Sequence, residues 1–216
     1  MSVREHVVVD PAILYFGTPV ALLSTVDDGG RPNLAPMSSV FWLGSTAVLG
    51  LGTRSQTARN LHATGEVVIG LPSIEQVAAV DRLALTTGRH PVPPVKAAAG
   101  YVHAADKFAV AGLTPVPSDL VAPARIAQCP VAMEGRVTAA HGLSGADPRA
   151  DGGAAVFEVE VLRVHVHPAL RMAGHPHRID PLRWRPLMMS FQRFFGLGGE
   201  VRPSRLAGID EEWYRG

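Results

Sequence analysis

The chain is short of several features that would place it in a class of proteins. Its 216 residues include one cysteine, Cys129, so an internal disulfide framework is excluded. No apolar run reaches the length that spans a bilayer, and we expect a cytoplasmic protein with no membrane segment. The formal net charge is +1, which leaves no electrostatic footprint for nucleic acid.

Several functional motifs are also missing. The Gly50–Gly52 segment lacks the third glycine of a dinucleotide fingerprint, and the chain has neither a Gly-Lys-Ser/Thr phosphate loop nor a His-Glu-x-x-His zinc motif. These absences argue against a Rossmann enzyme, a nucleoside triphosphatase and a zincin. Lysine and asparagine are rare, with two of each: Lys96, Lys107, Asn33 and Asn60.

The residues that are present favour one mainly β domain with peripheral helices. Apolar residues make up 47% of the chain, which is ample for a core. Helix starts are indicated at Asp10-Pro11, Ser55 and Pro72-Ser73, and Ala104–Ala111 reads as a further helix. A change of apolar phase near Val161-Leu162 predicts a β-bulge. The predicted strands are Pro19–Val26, Pro32–Val40, Thr46–Gly52, Glu66–Leu71, Ile126–Ala139 and Ala154–His167.

The most informative stretch runs from Arg31 to Asn60. Ser55 is a good helix N-cap, and Gly65 is a good helix stop. A helix start beside Arg54 favours an anion such as phosphate, although a well-capped surface helix is the alternative interpretation. Pro36 interrupts the preceding strand and predicts an edge or a bulge, where backbone groups are left free for a ligand.

An ordered series of segments resembles the flavin reductase-like family, whose members are FMN-binding split β-barrels related to flavoredoxins. The resemblance covers about residues 10–168, and no single motif in it is diagnostic. The family usually carries Lys-Asp-Thr where this chain has Ser55-Gln56-Thr57. The segments that carry the resemblance are 19–25, 28–38, 54–61, 64–73, Lys107-Phe108, 112–114 and 126–134.

The resemblance implies a Greek-key-like split β-barrel over residues 1–168. Residues 169–216 are expected to form a helical C-terminal extension that packs on the barrel or on a partner subunit. The amphipathic stretch from Leu187 to Phe195 is the expected helix. It either covers a barrel edge or docks on the partner. In the alternative interpretation, Phe194 or Phe195 flanks the isoalloxazine ring.

The resemblance also implies a cofactor site. Arg54, Ser55 and Thr57 would hold the FMN phosphate, and the strand from Asn33 to Ser38 would run along the ring. No catalytic acid or base is expected, because the hydride chemistry belongs to the flavin. FAD or a deazaflavin in place of FMN stays open. The full expected set is Asn33, Ala35, Pro36, Met37, Ser38, Ser39, Thr53, Arg54, Ser55, Gln56 and Thr57.

The function implied is that of an NAD(P)H-dependent flavin oxidoreductase. It would pass electrons from a nicotinamide through FMN to free flavin or to a small acceptor. The alternatives are a flavoredoxin-like electron carrier, and a barrel that has lost flavin and serves as a binding subunit. We expect a homodimer with the flavin site near its interface, and a monooxygenase or another electron acceptor as partner.

Histidines cluster late in the chain. His165 and His167 share one face of a strand, and His175 and His177 follow. No carboxylate or cysteine joins them at ligand spacing, so we assign no metal. Together with Arg163, His165 and His167 are the alternative candidates for binding an anionic ligand. Cys129 lies in an apolar segment and is expected to be a buried, inert thiol.

Overall fold

The computed structural model describes residues 6–214. Residues 1–5, which belong to the expected barrel domain, and residues 215–216, which belong to the expected C-terminal extension, lie outside it. Its strands are β1 (Thr18–Pro19), β2 (Ala21–Val26), β3 (Pro32–Met37), β4 (Val40–Leu43), β5 (Thr46–Gly52), β6 (Glu66–Leu71), β7 (Thr86–Thr87), β8 (Val102–His103), β9 (Pro115–Val116), β10 (Arg125–Ile126), β11 (Val131–Gly142), β12 (Ala154–Val166), β13 (Leu187–Ser190) and β14 (Arg193–Gly196). The α-helices are α1 (Gln56–Thr64), α2 (Val77–Leu83), α3 (Pro94–Ala98) and α4 (Lys107–Ala111). Short 3₁₀ turns cover Ile74–Gln76, Leu143–Gly145, Pro168–Leu170, Arg205–Gly208 and Glu211–Tyr214.

Seven antiparallel strands form the main sheet, in the order β3-β2-β6-β11-β12-β5-β4. The two end strands, β3 and β4, are joined by only Ser38 and Ser39. So short a link requires the sheet to curl until its two edges meet. The Gly50 amide donates to the Ser39 carbonyl at 2.8 Å and fastens this join to β5. The predicted mainly β fold and the edge position of β3 are both confirmed.

Both faces of β2 are buried. Leu23 points into the barrel, where it belongs to a cluster with Leu49, Ile69 and Phe157. Leu22 points outward into a second cluster. That outer cluster includes residues of α2, α4 and the C-terminal segment, namely Leu83, Phe108 and Leu187. The helices that cover this side of the barrel therefore lie beside β2 and β3.

The predicted β-bulge lies in β12. Glu134 pairs with Arg163, but Gly135 pairs with Val161, so Leu162 is the extra residue. A Cβ atom on Gly135 would lie 2.5 Å from Val159 Cγ1 and 2.9 Å from the Glu160 carbonyl oxygen. The close crossing at the bulge therefore requires glycine.

Two predicted strands are interrupted. The strand expected over Pro32–Val40 stops at Met37, because the chain crosses there from one sheet edge to the other, and Val40 begins β4. The strand expected over Ile126–Ala139 is likewise broken, by a turn in which the Cys129 amide donates to the Ile126 carbonyl at 3.1 Å. Strand periodicity does not reveal either change of direction.

One prediction about a helix is wrong, and another is right only in part. No helix follows Asp10-Pro11, since Leu14 and Phe16 are largely exposed and so little burial offsets the cost of helix nucleation. The sequence after Pro72-Ser73 predicts an apolar stripe of Ile74, Val77, Ala78 and Leu85. Ile74 and Val77 do pack against the outer cluster, but the buried residues of α2 are Ala79, Val80 and Leu83. Leu85 lies beyond the helix end and is half exposed.

The expected C-terminal helix is also wrong. Strands β13 and β14 form a hairpin instead, and β13 also pairs with β1. Phe191 and Gln192 make the turn with φ of 44° and 63°, a conformation for which glycine and asparagine are the usual signals. Pairing with β1 and burial of Leu187 outweigh the helical preference of the segment. Phe194 packs against the outer cluster.

No helix within residues 6–214 combines the length and the apolar character that crossing a membrane demands. The domain boundary expected at residue 168, between the barrel and the C-terminal extension, stays a prediction.

Candidate functional site

The start of α1 is built as its sequence predicts. Ser55 is extended, and its hydroxyl accepts from the Ala58 amide at 3.0 Å, while Gly65 ends the helix with φ of 70°. Within the described residues, the amides of Gln56 and Thr57 have no hydrogen-bond acceptor. The helix therefore presents two free donors and the positive end of its dipole.

A small pocket of about 130 Å³ lies over this helix start, and we call it the helix-start pocket. It brings together six of the predicted site residues: Asn33, Ala35, Pro36, Ser55, Gln56 and Thr57. The remaining lining comes from residues that the prediction did not include: Leu51, Leu83, Ala84, Thr86, Thr87, Gly88, Lys96, Tyr101 and Lys107. Edge strand, helix start and the irregular segment after α2 therefore converge on one cavity.

Both lysines of the chain line this pocket. Lys107 is 5% exposed and forms no hydrogen bond or ion pair with any described residue. Burial, followed by repulsion from Lys96, lowers the pKa of Lys107 from its ordinary 10.5 to about 8. Lys96 lies 5.3 Å from the centre of the Tyr101 ring, and burial followed by repulsion from Arg89 lowers its pKa as well. An unpaired ammonium on a mostly buried side chain, in a pocket that a helix start also lines, is suited to an anion.

A sequence signal for these lysines exists. Lysine occurs twice among 216 residues, and Lys107-Phe108 falls within the series that carries the family resemblance. The sequence does not predict that either lysine lies near α1, because about forty residues separate Lys96 from the helix start.

Both asparagines of the chain belong to one buried hydrogen-bond network. Asn33 donates to the Thr57 hydroxyl at 3.1 Å and to the Thr25 hydroxyl at 3.3 Å. Asn60 donates to Thr25 at 3.0 Å and accepts from Gln56 at 2.7 Å. These bonds hold the edge strand to α1, so the Asn33 and Thr57 side chains position the site.

One acceptor of this network is unused. Asn33 Oδ1 is buried and has no partner among the described residues. It lies so near Gly88 that a Cβ atom there would approach to 2.6 Å. Both residues line the helix-start pocket, and a buried polar atom without a partner commonly marks a ligand site.

Two larger clefts adjoin the helix-start pocket. The histidine cleft has a volume of about 370 Å³, contains His90 and His103, and shares Asn33, Gln56 and Gly88 with the pocket. The Arg54 cleft has a volume of about 320 Å³ and shares Ser55 and Lys96 with the pocket; its other lining residues are Gly52, Arg54, Pro93, Val95, Gly152 and Gly153. A ligand much larger than phosphate therefore has room beside α1.

The other predicted site residues lie elsewhere. The Thr53 hydroxyl accepts from the amides of Gly152 and Gly153, both at 3.1 Å, and so anchors the loop before β12. Met37 packs against the barrel core, and Ser38 and Ser39 link β3 to β4. None of these four lines the helix-start pocket or the two adjoining clefts.

A separate polar cluster surrounds Glu134, which is fully buried. Its carboxylate accepts from the Asp119 amide at 3.0 Å, from the Leu120 amide at 2.6 Å and from His165 Nε2 at 2.6 Å. Burial acts to raise the pKa of Glu134, but the amide and histidine hydrogen bonds outweigh it and lower that pKa. The cluster therefore ties the loop at Asp119 to strands β11 and β12.

This cluster corrects two expectations about the histidines. Carboxylates do join His165, since Asp119 and Glu134 lie within 4.8 Å of it, but they come from distant positions in the sequence. Arg163 is paired with Asp119 at 2.6 Å, so Arg163 and His165 are engaged with carboxylates and do not form an open anion site. His167 instead accepts from the Ala169 amide at 3.2 Å.

Cys129 is buried, as predicted. Burial raises the pKa of its thiol to about 12, so it is protonated near neutral pH. The sulfur lies against β6, where a Cβ atom on Gly70 would approach it to 3.1 Å. Its role is packing.

Comparisons with known proteins agree with this architecture. The chain is 34% identical over 198 residues to an uncharacterized protein of Bacillus subtilis (strain 168), YdfE, and the match covers 92% of each chain. In fold it is similar to flavoredoxin of Desulfovibrio vulgaris (Miyazaki F), at 21% identity and a TM-score of 0.73, over 95% of this chain and all of that one.

A second similar structure is nitrilotriacetate monooxygenase component B from Bacillus cereus. The identity is 20% and the TM-score 0.69, over 87% of this chain and 88% of that one. The sequence model described as "Flavin reductase like domain" matches residues 13–198. With most of its length matched in this way, the chain belongs to the flavin reductase-like domain family.

Proposed function

We propose that this protein binds a flavin nucleotide, FMN in the simplest case, and acts as an NAD(P)H-dependent flavin oxidoreductase. The observation that carries the proposal is the helix-start pocket, which the unpaired Lys107 lines together with the first residues of α1. Family membership is consistent with this chemistry. When bound, the flavin would supply the hydride and electron transfer.

The residues present fit a flavin phosphate. The amides of Gln56 and Thr57 donate to it along the helix dipole, and Lys96 and Lys107 balance its charge. The family's usual lysine in the Lys-Asp-Thr run is replaced by Ser55, and the two lysines from the segment after α2 provide ammonium groups in its place. Arg54 and Ser55 line the adjoining cleft, so the predicted phosphate residues stay in the proposal.

The ring would be held by the strand side of the pocket. Asn33, Ala35 and Pro36 line it there, on an edge strand whose outer backbone groups have no sheet partner. The pocket's 130 Å³ is below the roughly 300–1,000 Å³ typical of small-molecule sites, so the ring extends into an adjoining cleft. The unused Asn33 Oδ1 is available to accept from the ligand.

The electron donor and acceptor follow from the same site. The sequence carries no dinucleotide fingerprint, so we propose that the nicotinamide approaches the flavin directly. The relative from Bacillus cereus is named as a monooxygenase component, which supports a monooxygenase as the partner that takes up reduced flavin.

We also propose a homodimer, because the edge strand β4 exposes Phe41 and Leu43.

Titration with FMN tests the proposed function. We expect saturable binding, followed by loss of the oxidised-flavin absorption when NADPH or NADH is added without oxygen. Bound flavin that neither nicotinamide reduces would contradict NAD(P)H dependence and leave a flavin carrier. Absence of binding by FMN or FAD would contradict the proposal as a whole.

The affinity for FMN is expected to fall with rising pH. Because the pKa of Lys107 is about 8 in the free protein, its ammonium is lost above that pH and no longer attracts the phosphate. The dissociation constant should rise roughly tenfold between about pH 7 and about pH 9.5. Equilibrium dialysis at constant ionic strength measures the change, and a Lys107→Met variant should show a much flatter profile.

A further inference from the structure

A row of cations leads out of the helix-start pocket. Lys107 lies in the pocket, and Lys96 lines both the pocket and the Arg54 cleft. The Arg89 guanidinium donates to the Arg54 carbonyl at 3.3 Å. Arg59, on α1, lies 3.8 Å from Asp151. We call Lys107, Lys96, Arg89 and Arg59 the cation row.

Neighbours along the cation row repel one another. Burial followed by repulsion from Arg59 lowers the pKa of Arg89, and Arg89 in turn lowers the pKa of Lys96. Asp151 opposes this repulsion at Arg89 and lies 3.8 Å from Arg59. In a chain of net charge +1, this is a local excess of positive charge.

The outer end of the row opens on a separate cleft. This outer cleft has a volume of about 580 Å³ and is lined by Thr53, Arg59, His62, Ala63, Arg149 and Asp151. None of these residues lines the helix-start pocket, and neither lysine lines the outer cleft. A single phosphate held by the two lysines therefore leaves the two arginines with Asp151, 3.8 Å from Arg59, as their carboxylate neighbour.

We propose that Arg59 and Arg89 receive a second phosphoryl group, so that this protein discriminates in favour of a nucleotide carrying one. The inference rests on the proposed function, which places the first phosphate at α1. Two sources share this chemistry: the diphosphate of FAD, and the 2′-phosphate that distinguishes NADPH from NADH. Arginine can bind a phosphoryl group through two parallel charge-assisted hydrogen bonds, whereas Arg59 lies 3.8 Å from Asp151, which is beyond hydrogen-bond distance.

Ratios of affinities test the inference. Dissociation constants for FMN, FAD, NADH and NADPH are measured by calorimetry or dialysis at low salt, for the wild type and for Arg59→Ala. We expect the wild type to bind FAD more tightly than FMN, or NADPH more tightly than NADH. Arg59→Ala should reduce the affected ratio of affinities about fivefold to tenfold. Asp151→Asn removes the opposing carboxylate and should increase the preference.

Arg136→Ala is the matched control. Its side chain is 54% exposed and lies 3.5 Å from Glu66, compared with 51% exposed and 3.8 Å from Asp151 for Arg59. Arg136 lines neither the helix-start pocket nor the outer cleft, so its removal should leave the ratios unchanged. Circular dichroism of each variant tests whether its fold is retained.

The outcomes separate the two sources. A fall in the FAD-to-FMN ratio in Arg59→Ala assigns the second phosphate to the flavin, and a fall in the NADPH-to-NADH ratio alone assigns it to the nicotinamide nucleotide. If neither ratio changes while FMN still binds, the inference is overturned and the proposed function stands. If wild-type protein binds neither flavin, the proposed function itself fails.

Discussion

Lys107→Met is expected to weaken flavin binding by roughly tenfold to a hundredfold while making the ligand-free protein more stable. The loss of affinity follows because a charge-assisted hydrogen bond to phosphate contributes about 1.5–3 kcal/mol. The gain in stability follows because Lys107 is 5% exposed and has no partner among the described residues. Methionine has a similar volume and leaves no charge to bury.

The size of the stabilisation comes from the pKa of Lys107. A fall from 10.5 to about 8 means that charging the side chain in the folded protein costs roughly 3 kcal/mol more than in the unfolded chain. For a lysine with a lowered pKa this cost is fully present below about pH 8 and disappears as the pH rises toward 10.5. The stability advantage of the variant should therefore be clear at pH 7 and small near pH 10.5.

Urea denaturation without ligand and flavin titration measure the two effects. Lys96→Met serves as a comparison, since Lys96 is only partly buried and lies against Tyr101. Removing it should weaken flavin binding without a similar gain in stability. If Lys107→Met instead destabilised the ligand-free protein and bound flavin normally, Lys107 would be a packing residue and the phosphate site would be refuted.

Glu134→Ala is expected to lower the free energy of unfolding by about 3–5 kcal/mol. The side chain is fully buried, and its loss leaves the Asp119 and Leu120 amides without their acceptor and His165 without its carboxylate. It also leaves a cavity between the loop at Asp119 and the barrel. Losses of both kinds are among the most destabilising changes in proteins.

The pH dependence of this effect has a definite sign. Hydrogen bonds lower the pKa of Glu134 in the folded protein below its ordinary 4.5. Its contribution is therefore fully present above about pH 4.5 and is lost as the pH falls through the lowered pKa. The difference in stability between wild type and Glu134→Ala should narrow in acid.

Glu158→Ala is the control for this prediction. Glu158 also pairs with a histidine, His141, at 2.8 Å, but its side chain is 45% exposed. An exposed pair contributes at most about 1 kcal/mol, so this variant should unfold close to wild type. Equal losses in the two glutamate variants would show that the amide bonds and burial of Glu134 contribute little.

Features that depend on neighbouring residues were available from the sequence. Ser55 and Gly65 delimit α1, and β5 and β6 have the predicted bounds, because caps and strand alternation act over a few residues. The bulge at Leu162 was visible as a shift in alternation within a single strand. These local signals, together with the ordered family series, were sufficient to predict the barrel and to propose a phosphate at the start of α1.

Features that depend on distant partners were decided by the tertiary structure. The C-terminal segment forms a hairpin because β1 offers a pairing edge and Leu187 enters the outer cluster, and neither partner is nearby in sequence. The helix expected at Asp10-Pro11 is absent because Leu14 and Phe16 stay largely exposed in the described structure.

The same distinction applies to the site. Caps and strand edges predicted Asn33, Pro36 and Ser55, but only folding brings Lys96 and Lys107 to the start of α1 and joins Glu134 to His165. Charged groups far apart in the chain acquire their lowered pKa values from burial and from one another. Local sequence signals predicted where the proposed phosphate would bind, and long-range packing decided which cations surround that position.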